Sequence, residues 1–280
     1  MLITLSPSKG QDFEQAAPTK THTVPDQIDE SVVLAKTLKS YSTKKIQSLM
    51  SVSENLSELN HQRYQDFNVP FTPQNAKQAL FSFVGDVYSG INISSMTQAD
   101  FEYAQEHLRI LSGLYGNLKP LDLIQPYRLE MKTKLATKKG KNLYQFWGNS
   151  ITKLLNESLE SQKNKVVVNL ASQEYWKSVN SKELNGTVLN VAFKENKDGK
   201  SRIIALYAKI ARGMMADYII RNRVETVEGI KDFNSEGYKF DKKASTDKLF
   251  VFSRKQPKPL AQQRAEAKAK AKKKTKKKVA

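Results

Sequence analysis

Apolar residues in the first third of the chain mark one strand and a series of helices. Residues 1–5 form a short and almost entirely apolar run, which is typical of a buried strand. Between residues 29 and 66 the apolar positions recur every three or four residues, and this spacing predicts three helices that face a core. Thr72-Pro73 is a favourable helix start, so a further helix is predicted to reach about residue 83.

The middle of the chain predicts a helix that ends at a glycine-rich turn. Thr97 and Asp100 have the spacing of a capping box, and apolar residues at helical spacing follow them. Gly113 is positioned to cap this helix, and a short second helix is predicted over residues 120–124. Two helices joined in this way resemble a helix-hairpin-helix, which binds DNA phosphates through backbone N–H groups. Because Gly113 and Gly116 are three residues apart rather than the usual two, an ordinary helix-turn-helix corner is the alternative.

The second half of the chain predicts a second strand-rich region. Residues 166–170 are a β-branched run between polar flanks, and they give the clearest buried strand. Residues 187–193 and 202–208 predict a β-hairpin, which is followed directly by a helix. The last strand is expected at residues 249–252.

Positive charge is concentrated at the C-terminal end. The net charge is +18, and residues 254–280 hold twelve Lys/Arg against one Glu, so this segment carries +11 and residues 1–253 carry +7. The segment lacks aromatic residues and has almost no large apolar ones, so it is expected to be a disordered Lys/Ala-rich tail. Such a tail would bind DNA or other polyanions without sequence preference.

Several classes of protein are excluded by what the sequence lacks. It has no apolar run near the length of a membrane span and no signal-peptide pattern, so we expect a cytoplasmic protein with no membrane partner. The absence of cysteine excludes disulfides and thiolate chemistry. Three histidines without ligand spacing, and no nucleotide-binding or nucleophile-elbow motif, lead us to expect no metal and no cofactor.

Basic residues lie at three kinds of position that suit an anion. Lys9 follows the first strand in a turn of small residues, although an ordinary exit from a strand explains it equally. The segment from residue 119 to residue 141 holds seven Lys/Arg against two acids and forms either a phosphate-binding groove or a solvated loop. Lys209 and Arg212 are three residues apart on a predicted helix, so their charges either converge on one anion or remain on the surface.

Polar residues just beyond the strand at 166–170 form a further candidate site, because α/β sheets place ligands at the carboxyl ends of their strands. These residues are Asn169, Ser172, Glu174 and Lys177. Asp86 and Tyr88, which lie between two glycines, suit either a ligand-facing turn or a structural one.

Six strings resemble the YaaA peroxide-stress proteins of bacteria. They are SPSK at residues 6–9, GDVYSG at 85–90, LRILSGLYGNLKPLDLIQPYRLEM at 108–131, LYQFWG at 143–148, NLASQEYWK at 169–177 and AKIARGM at 208–214. The resemblance covers residues 1–253, with Ser8 standing where the family usually has Ala. The basic tail departs from the family, whose members usually end near residue 253.

The resemblance implies an α+β (mixed α/β) fold in one compact domain, with a mixed central sheet surrounded by helices and with a basic cleft. It also implies a role in resisting hydrogen peroxide, linked to limiting unincorporated iron and therefore oxidative DNA damage. Members are associated with binding double-stranded or structurally distorted DNA, in part through a helix-hairpin-helix-like element, which here would contain Gly113 and Gly116.

Three hypotheses for function follow. The leading one is a DNA-binding stress protein that reads DNA shape, with the candidate contacts Lys9, Arg109, Gly113, Gly116, Lys119, Arg128, Lys132, Lys177, Lys209 and Arg212. The second is an enzyme for a small anionic substrate, with Glu130 or Glu174 as general base and Lys9 as a further catalytic candidate. The third is an inert scaffold whose tail alone binds polyanions.

Overall fold

The computed structural model describes residues 1–258, which contain twelve strands and ten α-helices. The strands are β1 Leu2–Leu5, β2 Gly10–Gln11, β3 Lys77–Gln78, β4 Phe83–Val84, β5 Leu108–Ser112, β6 Gly116–Leu118, β7 Leu123–Ile124, β8 Val166–Asn169, β9 Thr187–Lys197, β10 Lys200–Arg202, β11 Lys239–Phe240 and β12 Leu249–Lys255. The helices are α1 Ile28–Lys39, α2 Thr43–Met50, α3 Glu54–Asp66, α4 Ala79–Ser82, α5 Gln98–His107, α6 Leu143–Trp147, α7 Ser150–Glu160, α8 Gln173–Trp176, α9 Ala205–Arg221 and α10 Val227–Ile230.

An eight-stranded mixed sheet forms the centre of the described fold. Five of its strands are parallel and lie in the order β12-β9-β8-β1-β5, while β6, β10 and β11 pair antiparallel at its margins. Strand β1 lies between β5 and β8 and is buried along its whole length, which explains its continuous apolar run. Helix α5 packs on β1 and β5, and α9 packs on β9. The predicted mixed central sheet with surrounding helices is therefore confirmed.

Two small antiparallel pairs attach the loops to this sheet. Strands β2 and β4 pair Gly10 with Val84, which joins the loop after β1 to the segment before residue 85. Strands β3 and β7 pair Lys77 with Ile124. The three helices predicted over residues 29–66 are confirmed as α1, α2 and α3, and the capping box at Thr97 begins α5 as expected.

The predicted helix over residues 72–83 was wrong. The segment instead forms a turn, the short strand β3, the single turn of α4 and the strand β4. Residues 76–83 are all buried, so their apolar character reflects enclosure on every side rather than one face of a helix.

The helix-hairpin-helix prediction was also wrong. Helix α5 ends at His107, and the chain then forms the β5–β6 hairpin, in which Ser112 pairs with Gly116. The expected second helix at residues 120–124 contains β7 instead. Because β5 is buried on both faces, its apolar residues continue the helical spacing of α5 by coincidence.

The last strand extends beyond the predicted domain boundary at residue 253. Arg254 lies in β12, and its Nε donates to Glu195 Oε2 at 3.0 Å. Residues 259–280, which make up most of the predicted tail, lie outside the described residues. None of the helices in residues 1–258 combines the length and the apolar character needed to cross a membrane.

Candidate functional site

A cleft of about 510 Å³ opens beyond the carboxyl ends of β1 and β8, the neighbouring strands at the centre of the sheet. Four loops and helix α9 contribute its walls, and α/β proteins place ligand sites at this edge of a sheet. Its ionisable or hydroxyl-bearing lining residues are Ser6, Ser8, Lys9, Asp86, Tyr127, Arg128, Glu130, Lys132, Ser172, Glu174, Tyr175, Lys209 and Arg212.

Hydrogen bonds hold the loop that follows β1. The Ser172 backbone N–H donates to Ser6 Oγ at 2.9 Å, and the Tyr88 hydroxyl donates to the Ser6 carbonyl at 3.1 Å. The Ser8 hydroxyl donates to the Val84 carbonyl. These hydrogen bonds join the loop after β1 to the loop after β8 and to the segment at residues 84–88. The backbone that carries Lys9 is therefore held in place.

Glu130 lies at the centre of the cationic part of the cleft. Its Oε1 is 3.0 Å from Lys9 Nζ and 3.4 Å from Arg128 Nη2, and its Oε2 is 3.2 Å from Lys132 Nζ. Only 15% of the Glu130 side chain is exposed, and burial alone would raise its pKa. The contacts with Lys9 and Lys132 outweigh burial and lower the pKa, so this carboxylate stays ionised at neutral pH.

Two further carboxylates each contact one lysine of the cleft. Glu174 Oε1 accepts the Lys132 backbone N–H at 3.3 Å, and its Oε2 is 3.8 Å from Lys132 Nζ. On the opposite wall, Lys209 Nζ is 3.3 Å from Asp86 Oδ2. The three carboxylates therefore fix lysine positions without neutralising all the positive charge.

Both arginines of the cleft have hydrogen-bonding groups that the protein leaves unused. Among the described residues, no side-chain hydrogen bond or ion pair reaches the partly buried Arg212. Burial lowers the pKa of its guanidinium. Arg128 Nε is buried without a partner within the described part of the chain. Arg212 therefore presents N–H donors to the cleft that no side-chain contact within residues 1–258 uses.

Three tyrosines stand behind the charged residues, of which Tyr88 and Tyr127 are buried and Tyr175 is partly buried. Burial raises the pKa of Tyr88, Tyr127 and Tyr175 well above the usual value, so their hydroxyls stay protonated. The Tyr127 and Ser112 hydroxyl oxygens are 2.7 Å apart. These groups give the cleft a rigid aromatic wall with neutral hydroxyls.

Arg109 does not belong to the cleft, contrary to the prediction. Its guanidinium is buried and donates to the Gln105 and Leu108 carbonyls, and to Ser158 Oγ of α7. Burial lowers the pKa of Arg109 to about 10. Since its position on β5 turns this side chain toward α7, Arg109 joins a strand to a helix and is not a contact for DNA.

Gly113, Gly116 and Lys119 also lie outside the cleft. A Cβ on Gly113 would lie 2.2 Å from the Leu129 carbonyl oxygen, and Gly116 has a φ of +68°. Residues 113–118 are all buried, so the turn has no surface for DNA. Lys119 forms an ion pair with Asp26 at 3.0 Å and does not line the cleft.

Lys177 was predicted as an anion contact but lies outside the cleft. It follows α8 and stands 5.5 Å from the centre of the Tyr144 ring, where its charge makes a cation–π contact.

The cleft does bring together five of the predicted anion contacts, Lys9, Arg128, Lys132, Lys209 and Arg212. It also contains the catalytic candidates Glu130 and Glu174. The Asn169 amide donates to Asn190 Oδ1 at 2.9 Å across the sheet.

Sequence reasoning missed two features of the site. They are Tyr175 and the close packing of Gly213 against the turn that carries Asp86. Tyr175 lies between Glu174 and Lys177, which were both singled out, and it lines the cleft. A Cβ on Gly213 would lie 1.8 Å from the Val87 carbonyl oxygen, so this glycine lets α9 approach the 85–90 turn. The sequence signal for this contact was the glycines in GDVYSG at residues 85–90 and in AKIARGM at residues 208–214. No group of three or more His, Cys, Asp or Glu side chains in residues 1–258 is arranged to hold a metal ion.

Comparison with known proteins gives a consistent result. Residues 1–244 match the family model described as peroxide stress protein YaaA. A UPF0246 protein of Acaryochloris marina is 54% identical over 254 residues, which are 91% of this chain and 100% of that protein. UPF0246 proteins of Aliivibrio fischeri and Alteromonas mediterranea are 49% and 48% identical over 256 residues, again 91% of this chain and 99% of each relative.

Proposed function

Because the chain belongs to the peroxide stress protein YaaA family, we propose that it resists peroxide stress by binding DNA phosphates in the cleft described above. The observation that carries the proposal is Arg212, which lines a cleft with more cations than carboxylates and has no side-chain hydrogen bond or ion pair among the described residues. Arginine presents several N–H groups in a fixed plane, which suits phosphate oxygens.

The chemistry of the contacts favours recognition of DNA shape over sequence. Lysines and arginines that bind phosphates set position and affinity, while sequence is read from base edges in the grooves. The cleft offers cations and serine hydroxyls, and the amide oxygen of Gln11 in its lining already accepts the Tyr127 backbone N–H at 3.1 Å, which leaves no free amide pair for adenine. We therefore expect similar affinity for unrelated sequences of equal length and a strong dependence on salt.

The test compares DNA binding across a salt series for a chain that ends at Lys258. This chain keeps every contact described above and lacks the basic segment beyond it. Arg128→Gln combined with Arg212→Gln should lower the affinity and reduce the slope of log K against log salt by about 1.8, the value for two phosphate contacts. The matched control is Lys36→Gln with Lys153→Gln, two exposed lysines that do not line the cleft.

Two results of this comparison would contradict the proposal. One is equal affinity and equal slope for the cleft pair and the control pair. The other is complete loss of binding when the chain ends at Lys258, which would assign DNA affinity to the residues beyond it.

Protection of bound DNA is the proposed consequence for peroxide resistance. Ferrous iron and peroxide generate oxidants that nick DNA, and a protein layer on the phosphates would limit this iron-dependent damage. Plasmid nicking by ferrous iron and peroxide should fall in the presence of the wild-type protein. The Arg128→Gln, Arg212→Gln protein should give markedly less protection at the same concentration.

An enzyme for a small anionic substrate is the second candidate. Glu130 favours it, because this carboxylate is largely enclosed, ionised and surrounded by three cations in a site of small-molecule size. In an enzyme with Glu130 as general base, Glu130→Gln would abolish function. In a phosphate-binding cleft the same substitution removes a competing negative charge and leaves DNA binding intact or stronger.

A further inference from the structure

The charge of the cleft suits a doubly charged anion. Its lining contains five cationic and three anionic side chains, which leaves a net charge of +2. A phosphate monoester carries a charge of about −1.5 to −2 at neutral pH. A phosphate diester within a DNA strand carries one negative charge. The cleft therefore matches the charge of a monoester more closely than that of the DNA backbone.

The size of the cleft points in the same direction. A cavity of about 510 Å³ is within the range of small-molecule sites, about 300–1,000 Å³. The basic residues that would have extended it into a track along a duplex are elsewhere, since Arg109 and Lys119 are engaged with Ser158 and Asp26. A second pocket shares Lys9, Arg128, Glu130 and Lys132 with the cleft and adds Lys134 to its cations, so the cleft proper has the size of a small-molecule site.

The unused donors lie where a compact anion would need them. Arg128 lines the cleft with a side chain that is 19% exposed, and its Nη2 lies 3.4 Å from Glu130 Oε1. Arg212 follows Lys209 by three positions on α9, which puts both cations on one face of that helix. A monoester offers three terminal oxygens to such donors, and a backbone diester offers two.

We infer that the cleft binds a phosphate monoester, carried by the end of a DNA strand or by a free nucleoside monophosphate, in preference to a diester. Where the monoester is the end of a DNA strand, this inference rests on the proposed function. It then adds that the strand end is the part of DNA that enters the cleft. The monoester dianion would pair with Arg212, Arg128 and Lys209, while Glu130 keeps Lys9 and Lys132 in position.

The experiment uses the full chain and duplexes that differ only at their ends. Affinity is measured for one blunt duplex with 5′-phosphates and for the same duplex with 5′-hydroxyls. Residues 259–280 are present in every variant, so a preference that is lost in Arg212→Gln or Lys209→Gln is due to the cleft and not to that segment. Deoxyadenosine monophosphate and deoxyadenosine are measured in parallel as free ligands. Each ligand is tested against wild type, Arg212→Gln, Lys209→Gln and the control Lys153→Gln.

The expected result is a preference of about tenfold or more for the phosphorylated duplex, which is the effect of one additional charge-assisted hydrogen bond. Arg212→Gln and Lys209→Gln should reduce this preference, and Lys153→Gln should leave it unchanged. Lys209 is exposed, so Lys209→Gln remains informative if Arg212→Gln impairs folding. Binding of deoxyadenosine monophosphate but not of deoxyadenosine, without discrimination between duplex ends, would support the monoester and identify the free nucleotide as its source.

The inference is overturned if neither duplex ends nor free nucleotides are distinguished by their phosphate. In that case, DNA binding that still depends on Arg128 and Arg212 would leave the proposed function standing. If DNA affinity does not depend on the cleft while deoxyadenosine monophosphate binds through Arg212, the proposed function fails and the monoester site stands.

Discussion

Glu130 controls the electrostatic balance of the cleft at the scale of single residues. Its carboxylate contacts Lys9, Arg128 and Lys132, so it alone faces three of the five cations before any ligand arrives. The same contacts keep the lysine side chains from repelling one another in a partly buried space. Glu130 therefore stabilises the site and, at the same time, competes with an anionic ligand for its cations.

Glu130→Gln is predicted to lower stability by about 1–2 kcal/mol at neutral pH, because three cations lose a charged partner. The folded state lowers the pKa of Glu130, so its stabilising contribution is present above the unfolded value of about 4.5 and is lost as the pH falls through the folded value. The difference in unfolding free energy between wild type and Glu130→Gln should be largest near neutrality and should disappear in acid. Urea unfolding of both proteins at a series of pH values checks this, and a difference independent of pH would refute it.

At the scale of secondary-structure elements, the buried strands β1 and β8 were predicted well. The part of the chain that lies between these two strands in the sequence was predicted less well. The runs at residues 1–5 and 166–170 have β-branched or apolar residues at every position except Asn169, and they form β1 and β8. Helix α5 and strand β5 share one uninterrupted series of apolar residues, so spacing alone could not locate their junction at His107. Misplacing that junction produced the helix-hairpin-helix prediction and moved Arg109 into the cleft.

The cleft itself was partly predictable because its residues follow strands or lie near glycines. Lys9 and Glu174 come just after β1 and β8, and parallel strands deliver such residues to one edge of a sheet. Arg128 and Lys132 were predicted within the basic segment 119–141, but separating them from its other basic residues required the fold, since they lie in a long irregular segment after β7. The packing of that segment decides which of its basic residues face the cleft. No local sequence pattern predicts this choice.

Helix α9 approaches the 85–90 turn through Gly213, and this contact sets the distance between Lys209 and Asp86. Gly213→Ala is predicted to destabilise the protein by about 1–3 kcal/mol, because the added methyl group would collide with the Val87 carbonyl. DNA affinity should fall as α9 moves away. Met214→Leu at the neighbouring position conserves volume and serves as the control. Thermal unfolding and DNA binding of both variants test the contact, and wild-type values for Gly213→Ala would contradict it.

At the scale of the whole molecule, the fold extends through β12 to Lys255 and the sequence-based boundary at residue 253 is too early. Strand β12 pairs in parallel with β9 over seven residues, which connects the C-terminal end of the described chain to the central sheet. Arg254 supplies the charge opposite Glu195, whose side chain is 1% exposed and also accepts the Tyr238 hydroxyl. The basic segment beyond residue 258 is thus attached directly to a structural strand.

Truncation at two points should separate the fold from the C-terminal segment. A chain ending at Lys258 is predicted to unfold at the same temperature as the full chain. A chain ending at Ser253 should lose about 3–5 kcal/mol, because Glu195 would remain buried without its cationic partner. Calorimetry of the three proteins measures the difference. Equal stability of the two truncated chains would show that the Arg254–Glu195 pair contributes little.

Lysine footprinting of the full chain tests most directly whether the cleft is the phosphate-binding site. An amine-reactive reagent modifies exposed lysines, and mass spectrometry compares their reactivity with and without DNA. Lys9, Lys132 and Lys209, which line the cleft and are more than half exposed at 59%, 65% and 56%, should become protected when DNA binds. Lys36 and Lys153 should react equally in both samples. Protection confined to residues beyond 258, with the three cleft lysines unchanged, would contradict the account.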